Sequence, residues 1–402
     1  MVILYSLLVL SIIPGVVTRV SFSGISIYLF DVFVVLILLT SYRKIFNFIK
    51  QNNKALLPVL FMILVSAMGL FFNTKDLFEF LSSTLYLFRV IGYSLVAIPL
   101  LALKKESLVK LKHVMLFGGF VFVGLGYIQY WYYPNLRNLF YLGWDEHLYR
   151  LFSTFLDPNF AGAFIVLMLL FYADFFFSCF KTSKPYIKAL LLAGYLFILP
   201  SLFLTYSRSA FIMFFVSAIF YLIFIGKKKL LLFFLGIFLL GIILIPKNLG
   251  GEGVKLFRTA SIFARINTYE EAITIFTRNP VVGVGFNSLR FVSERYGFVP
   301  QDQALASHAA AGIPNSFLFV LTTTGILGFS LFVYLLARII QEVWNVRRRH
   351  ILFSNYILAG ILGVLVDSLF ENSLFYAQIM LWLVLSTGIL FGMLNSKNTK
   401  KA

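Results

Sequence analysis

The chain has 402 residues, of which 60% are hydrophobic and only 12% charged, with 48 Phe and a mean hydropathy of +0.91. That is too apolar and too poor in charge for a soluble protein of this length, so the composition excludes one and points to a polytopic membrane protein whose first partner is the lipid bilayer. The formal net charge of +18 is spread through short connections instead of forming a patch on a folded domain, which argues against a nucleic-acid partner.

About 20 apolar residues are needed to cross roughly 30 Å of hydrocarbon. Windows of that size predict twelve spans, near 2–18, 24–40, 55–72, 85–103, 113–133, 159–180, 187–205, 209–225, 230–246, 315–337, 351–369 and 374–394. The fold class expected is all-α, because a helix satisfies its own backbone in lipid. The first window has no small-residue cleavage site behind it and reads as an uncleaved helix.

In chain order, every second connection is basic: Arg43, Lys44, Lys50 and Lys54; Lys104, Lys105, Lys110 and Lys112; Lys181, Lys184 and Lys188; Lys227 to Lys229; Arg338 and Arg347 to Arg349; and Lys397, Lys400 and Lys401 in the tail. Short basic loops mark the cytoplasmic side, so both termini are expected there. The outward connections then include one of medium length, about 134–158, and a long one, about 247–314. A structureless loop that long is uncommon without a function. Within it, Thr268 to Arg278 reads as a helix with Ala272, Ile273 and Phe276 on one face and Glu270, Glu271 and Arg278 elsewhere, ended by Asn279-Pro280. Cys179 is the only cysteine, so packing rather than an intramolecular disulfide must hold the outer loops. No internal repeat or low-complexity segment stands out. The organisation expected is one integral membrane domain, 1–402, with 247–314 as a cap over its outer face.

The turn Leu204-Thr-Tyr-Ser-Arg208-Ser-Ala210 sets an arginine between two long apolar runs. At the bilayer centre an arginine costs roughly 2.5 to 3.5 kcal/mol, so one held at the membrane edge is a functional candidate, here for an anion. Other basic residues on the outward side are Arg137, Arg150, Lys247, Lys255, Arg258, Arg265, Arg278, Arg290 and Arg295. A planar guanidinium fork suits two phosphate oxygens at once, which points to a phosphate-bearing lipid. The plainer alternative is that these loop residues are solvated or paired with Glu252, Glu270, Glu271, Glu294 and Asp302. Gly283-Val-Gly285, ahead of Asn287-Ser288, either presents backbone N–H groups to an anion or makes a turn. Asp367 and Glu371 lie four apart on one helical face, where they either neutralise Arg208 or act as acid and base.

Four segments, in order, resemble the O-antigen ligase and polymerase superfamily. They are Arg150-Leu-Phe-Ser-Thr-Phe-Leu-Asp157-Pro158-Asn159-Phe-Ala-Gly162; the Thr-x-Ser-Arg turn at Arg208; Arg265-Ile-Asn-Thr-Tyr-Glu-Glu-Ala followed by Asn279-Pro280-Val-Val-Gly283-Val-Gly285; and Asn315-Ser-Phe-Leu with Thr324-Gly325-Ile-Leu-Gly328. The resemblance covers about residues 150–330. It implies a glycosyltransferase of the bacterial inner membrane that takes a glycan from an undecaprenyl diphosphate carrier at the periplasmic face. The acceptor is a lipid A core sugar in a ligase and a carrier-linked glycan in a polymerase. Arg208 and Arg265 then form the catalytic clamp on the leaving diphosphate, with Arg150, Asn159, Arg290, Asn315, Asp367 and Glu371 assigned to substrate binding. No cofactor is expected. No Asp-x-Asp motif is present, so arginines are expected to supply the positive charge that a metal would otherwise bring.

One departure concerns the base. The superfamily commonly has a histidine just before the Asn that opens the span after the long loop, where this chain has Pro314 before Asn315. His308 is the candidate replacement, its plain alternative being an exposed loop histidine, and Glu271, Asp367 and Glu371 are substitutes. The competing class is a transporter or a flippase for lipid-linked glycans. A transporter favours internal repeats and charges within spans, whereas the charges here, Asp31, Arg89 and Asp174, fall near predicted span ends. A flippase needs arginines along a path through the membrane. The candidates here cluster on one side.

Overall fold

The computed structural model describes all residues except 23–24, 247–251, 256–258, 300–311 and 399–402. Its helices are α1 (Val2–Ile12), α2 (Leu29–Gln51), α3 (Asn53–Asn73), α4 (Leu77–Leu95), α5 (Ala97–Leu100), α6 (Lys105–Tyr132), α7 (Pro158–Cys179), α8 (Pro185–Leu204), α9 (Arg208–Phe224), α10 (Lys228–Leu244), α11 (Ala260–Arg278), α12 (Leu289–Arg295), α13 (Ser316–Val346), α14 (Ile351–Asp367) and α15 (Ala377–Asn398). The chain is an all-helical polytopic membrane protein, apart from a small hairpin of β1 (Val20–Phe22) and β2 (Ile25–Ile27).

Each predicted window holds a helix, but among the described residues eight stretches are long and apolar enough to cross a membrane, not twelve. The other four are shorter: α1 has 11 residues, and α9, α10 and α14 have 17 each. Pro14 and a 3-10 turn at Gly15–Thr18 follow the early end of α1, and the hairpin takes the start of the second window. Proline cannot donate the next helical hydrogen bond.

The centre of the bundle is α7, buried without a break from Ala161 to Asp174. Its neighbours approach on small residues, as lipid-embedded helices do when packing rather than water drives association. A Cβ on Gly119 of α6 would strike the Met168 side chain, and one on Gly162 would lie 2.7 Å from the Ala210 Cβ of α9. Gly363 of α14 packs in the same way on Met213 and Ser217 of α9.

Asp31, Arg89 and Asp174, which fall within predicted spans, are paired. Lys112 donates to Asp174 at 2.6 Å and lies 3.9 Å from the Phe353 ring centre, joining α6, α7 and α14. Arg89 and Asp31 are 3.0 Å apart, joining α4 to α2.

The segment after α11 is stitched into the bundle. Gly325 breaks α13 with φ +61°, which frees carbonyls of the preceding turn. Val284 N–H donates to Thr322 O at 3.2 Å and Gly285 N–H to Thr323 O at 2.8 Å, while Ile326 N–H donates back to Pro280 O at 2.9 Å. Gly283 N–H donates to Asn279 O at 3.1 Å. These N–H groups are therefore spent on backbone, and of the two readings of Gly283-Val-Gly285 the turn holds. On α11, Ala272 and Ile275 are buried with Phe319 and Val320 of α13, whereas Ile273 is 50% exposed. The helix starts earlier than predicted, and its contact with α13 runs through Ile275 instead of Ile273.

Candidate functional site

At one end of the bundle the chain reverses between α8 and α9 within Thr205–Ser207. Thr205 Oγ1 donates to Leu202 O at 2.7 Å and accepts Ser207 N–H at 3.2 Å, and Ser207 Oγ accepts Ala210 N–H at 3.3 Å as the N-cap of α9. Thr205 and Tyr206 N–H donate to Leu202 O and Phe203 O, and with these groups met this turn is buried. Arg208 follows as the first residue of α9 and points at α11, where its Nη2 donates to Ser261 Oγ at 2.7 Å.

One turn further along α11, on the same face, stands Arg265. Its Nη2 makes an ion pair with Glu371 Oε1, from the connection between α14 and α15. Arg208 and Arg265 are near enough for their guanidinium groups to repel.

The start of α7 borders this group. Asp157 caps the helix, its Oδ1 accepting the N–H groups of Asn159 at 2.7 Å and Phe160 at 3.4 Å. Arg150 donates from Nε to Thr205 O at 2.8 Å and from Nη2 to Asn159 Oδ1 at 3.0 Å. Asp367 ends α14 and accepts the Ser373 hydroxyl. Asn315 caps α13, accepting Phe317 and Leu318 N–H at 3.0 Å each, and its Nδ2 donates to Leu369 O at 3.2 Å. Tyr269 of α11 donates to Pro314 O at 2.9 Å and Leu369 O at 3.0 Å, which pins α11 over the same junction.

Residues 193–333 match the family model described as O-antigen ligase. The match spans about a third of the chain, and over those residues the chain is similar to the O-antigen ligase superfamily. No curated protein matches it. The superfamily is one of glycosyltransferase-like enzymes. Its matched stretch holds Arg208, Ser261, Arg265 and the cap residue Asn315; Arg150, Asp157, Asn159, Asp367 and Glu371 come from flanking sequence.

Of the residues assigned from sequence, Arg208, Arg265, Arg150, Asn159, Asn315, Asp367 and Glu371 therefore gather at one end of the helical bundle. Arg290 lies on α12 beside Tyr86 of α4, and burial lowers its basicity while Tyr86 opposes that. His308 lies outside the described residues. Two participants were not anticipated in these roles, Ser261 and the capping Asp157. An Asp-Pro-Asn sequence at the start of an apolar run is itself an N-cap signal, and it marks Asp157.

Electrostatics follow from burial. Glu371 is pushed up to about 8, chiefly by desolvation, with Arg265 opposing and Asp157 and Asp367 adding to the rise. Desolvation also raises Asp157, against the N–H groups it accepts and the charges of Arg150 and Arg265. Burial thus raises the proton affinity of both carboxyls, and the neighbouring arginines oppose it. Among the described residues no group of three or more His, Cys, Asp or Glu side chains is placed to hold a metal ion.

Proposed function

We propose that this protein transfers a glycan from an undecaprenyl diphosphate carrier to a sugar hydroxyl, with Arg208 and Arg265 holding the diphosphate as it leaves. The carrying observation is that two mutually repelling guanidinium groups from different helices share one site, and one of them stands at the first position of α9. A cation at a helix N-terminus opposes the macrodipole. An anion between the two arginines relieves both conflicts at once, and the N-terminus of α9 adds its own favourable field.

In the step itself the acceptor oxygen forms a bond to the anomeric carbon, the bond from that carbon to phosphate oxygen breaks, and the electron pair leaves on the diphosphate. Fixed donors aimed at that developing charge lower the barrier most. The reading places this reaction at the periplasmic face, with both termini in the cytoplasm, and assigns no metal to it. Arg150 and Asn159 contribute by holding the turn before Arg208.

The test is reconstitution in liposomes with an undecaprenyl diphosphate-linked oligosaccharide as donor and either lipid A core or a second carrier-linked glycan as acceptor. Extension of one acceptor without any ion gradient is expected. Consumption of neither, together with movement of the donor between leaflets, would place the protein with flippases instead.

A further inference from the structure

We infer that Glu371 accepts the proton of the acceptor hydroxyl, freed for this by the donor diphosphate replacing it on Arg265; the inference rests on the transfer reading above. Three carboxylates surround Arg265, and only one is in a position to change partners. Asp157 is committed through Oδ1 to the first N–H groups of α7. Asp367 is fully enclosed and takes the Ser373 hydroxyl. The Glu371 side chain has Arg265 as its one hydrogen-bond partner among the described residues.

The backbone around Glu371 is fixed while its carboxylate is exchangeable. Its N–H donates to Asp367 O at 2.9 Å, its carbonyl accepts from Ser316 Oγ at 3.4 Å, and Ser316 N–H donates to Ser368 O at 2.8 Å. The loop is thus tied to the N-terminus of α13 and, through Tyr269 on Leu369 O, to α11, so its position does not depend on the ion pair to Arg265. A diphosphate offers a guanidinium two oxygens and more charge than a carboxylate does, so a donor seated between Arg208 and Arg265 competes directly with Glu371.

Once displaced, Glu371 is a buried carboxylate without its cation, facing Asp157 and Asp367 from the neighbouring elements, with Arg265 now engaged and Tyr269 alongside. Desolvation and like charge both raise its proton affinity. The acceptor O–H bond then breaks with its proton passing to Glu371, the oxygen bonds the anomeric carbon, and the diphosphate departs with the electron pair of the broken bond. After the diphosphate leaves, Glu371 releases the proton and re-forms the pair with Arg265. Donor occupancy thereby arms the base, and an empty site holds it disarmed.

Two measurements on the full-length protein in nanodiscs test this: affinity for undecaprenyl diphosphate itself, and the pH profile of kcat/KM for glycan transfer. Glu371→Gln is expected to bind undecaprenyl diphosphate as tightly as wild type or more tightly, because a competitor for Arg265 is gone. It is expected to lose transfer by about 100-fold or more and to lose the acidic limb of the profile. Glu371→Asp is expected to restore part of the transfer with that limb shifted. Transfer by Glu371→Gln within a few-fold of wild type would overturn the inference, as would a loss of undecaprenyl diphosphate binding equal to that of Arg265→Ala. If wild-type protein transfers to neither acceptor, the functional reading fails instead, and the binding comparison still decides whether Glu371 and the diphosphate compete.

Discussion

Arg150 and Asn159 are joined by a 3.0 Å hydrogen bond from Nη2 to Oδ1, while Nε of the same guanidinium donates to Thr205 O at 2.8 Å. Arg150 is only 4% exposed, and the neighbouring Leu151 N–H donates to Leu204 O at 2.8 Å. The arginine therefore fastens the start of α7 to the turn that presents Arg208. Arg150→Ala should cost about 3 kcal/mol, because buried partners of a charged donor are left unmatched. Asn159→Ala, which removes one acceptor, should cost less. A melting temperature of Arg150→Ala equal to wild type in detergent would contradict this role.

For the clamp, Arg208→Ala and Arg265→Ala should each lower kcat of glycan transfer by about 10²–10³-fold with expression retained. Arg208→Lys should recover only part of that, since an ammonium cannot reach two oxygens with one planar fork. Wild-type turnover by either alanine variant would make these arginines structural.

Transfer should also survive excess EDTA and gain nothing when Mg²⁺ is returned. In the proposed mechanism guanidinium groups supply the positive charge, and high salt should reduce activity less steeply than it weakens an exposed ion pair. Loss in EDTA with recovery on Mg²⁺ would redirect attention to carboxylates such as Asp157.

The titration of Glu371 has a definite sign. Its folded value, about 8, lies above its ordinary 4.5. Between those limits the folded state holds more protons than the unfolded chain. Stability from this group is then full below about 4.5 and falls as pH rises through about 8. Thermal melts of the empty protein across that window should decline with rising pH, and Glu371→Gln should flatten the decline. An unchanged slope in the variant would assign the dependence to other groups.

Backbone contact between α3 and the segment after α11 makes Gly285 intolerant of a side chain. Its φ is +96°, and a Cβ would lie 2.5 Å from Leu70 N. Gly285→Ala should destabilise the protein and, by displacing α11, lower transfer. Gly236→Ala, with nothing within 4 Å of the added atom, should leave both unchanged. Equal behaviour of the two variants would show that this contact does not position α11.

Much of the fold was legible because lipid imposes it. Long apolar runs in hydrocarbon have to be helices, and helices formed at every predicted window. Two ends with a local chemical cause were legible as well, Asn279-Pro280 after α11 and Asn315 ahead of α13, whereas the early end of α1 before Pro14 was not. Arg208 was conspicuous because a permanent charge in a tight turn between apolar runs has few structural uses.

Which helices meet was decided only in three dimensions. In a soluble helix a polar stripe reports the solvent side, but residues facing lipid and residues facing protein are equally apolar here. Phe164 of α7 is fully buried while Phe71 of α3 is 74% exposed, and nothing in their local sequence separates them. The meeting of Arg265 with Glu371, the approach of Arg208 to Ser261 and the inclusion of Asp157 all depend on how α7, α9, α11 and α14 rotate and pack. The break of α13 at Gly325 belongs to the same class, since its freed carbonyls are satisfied only by a segment that arrives from the loop before it. Hydropathy specifies that these helices exist; close packing of small residues and the pairing of buried charges decide their arrangement.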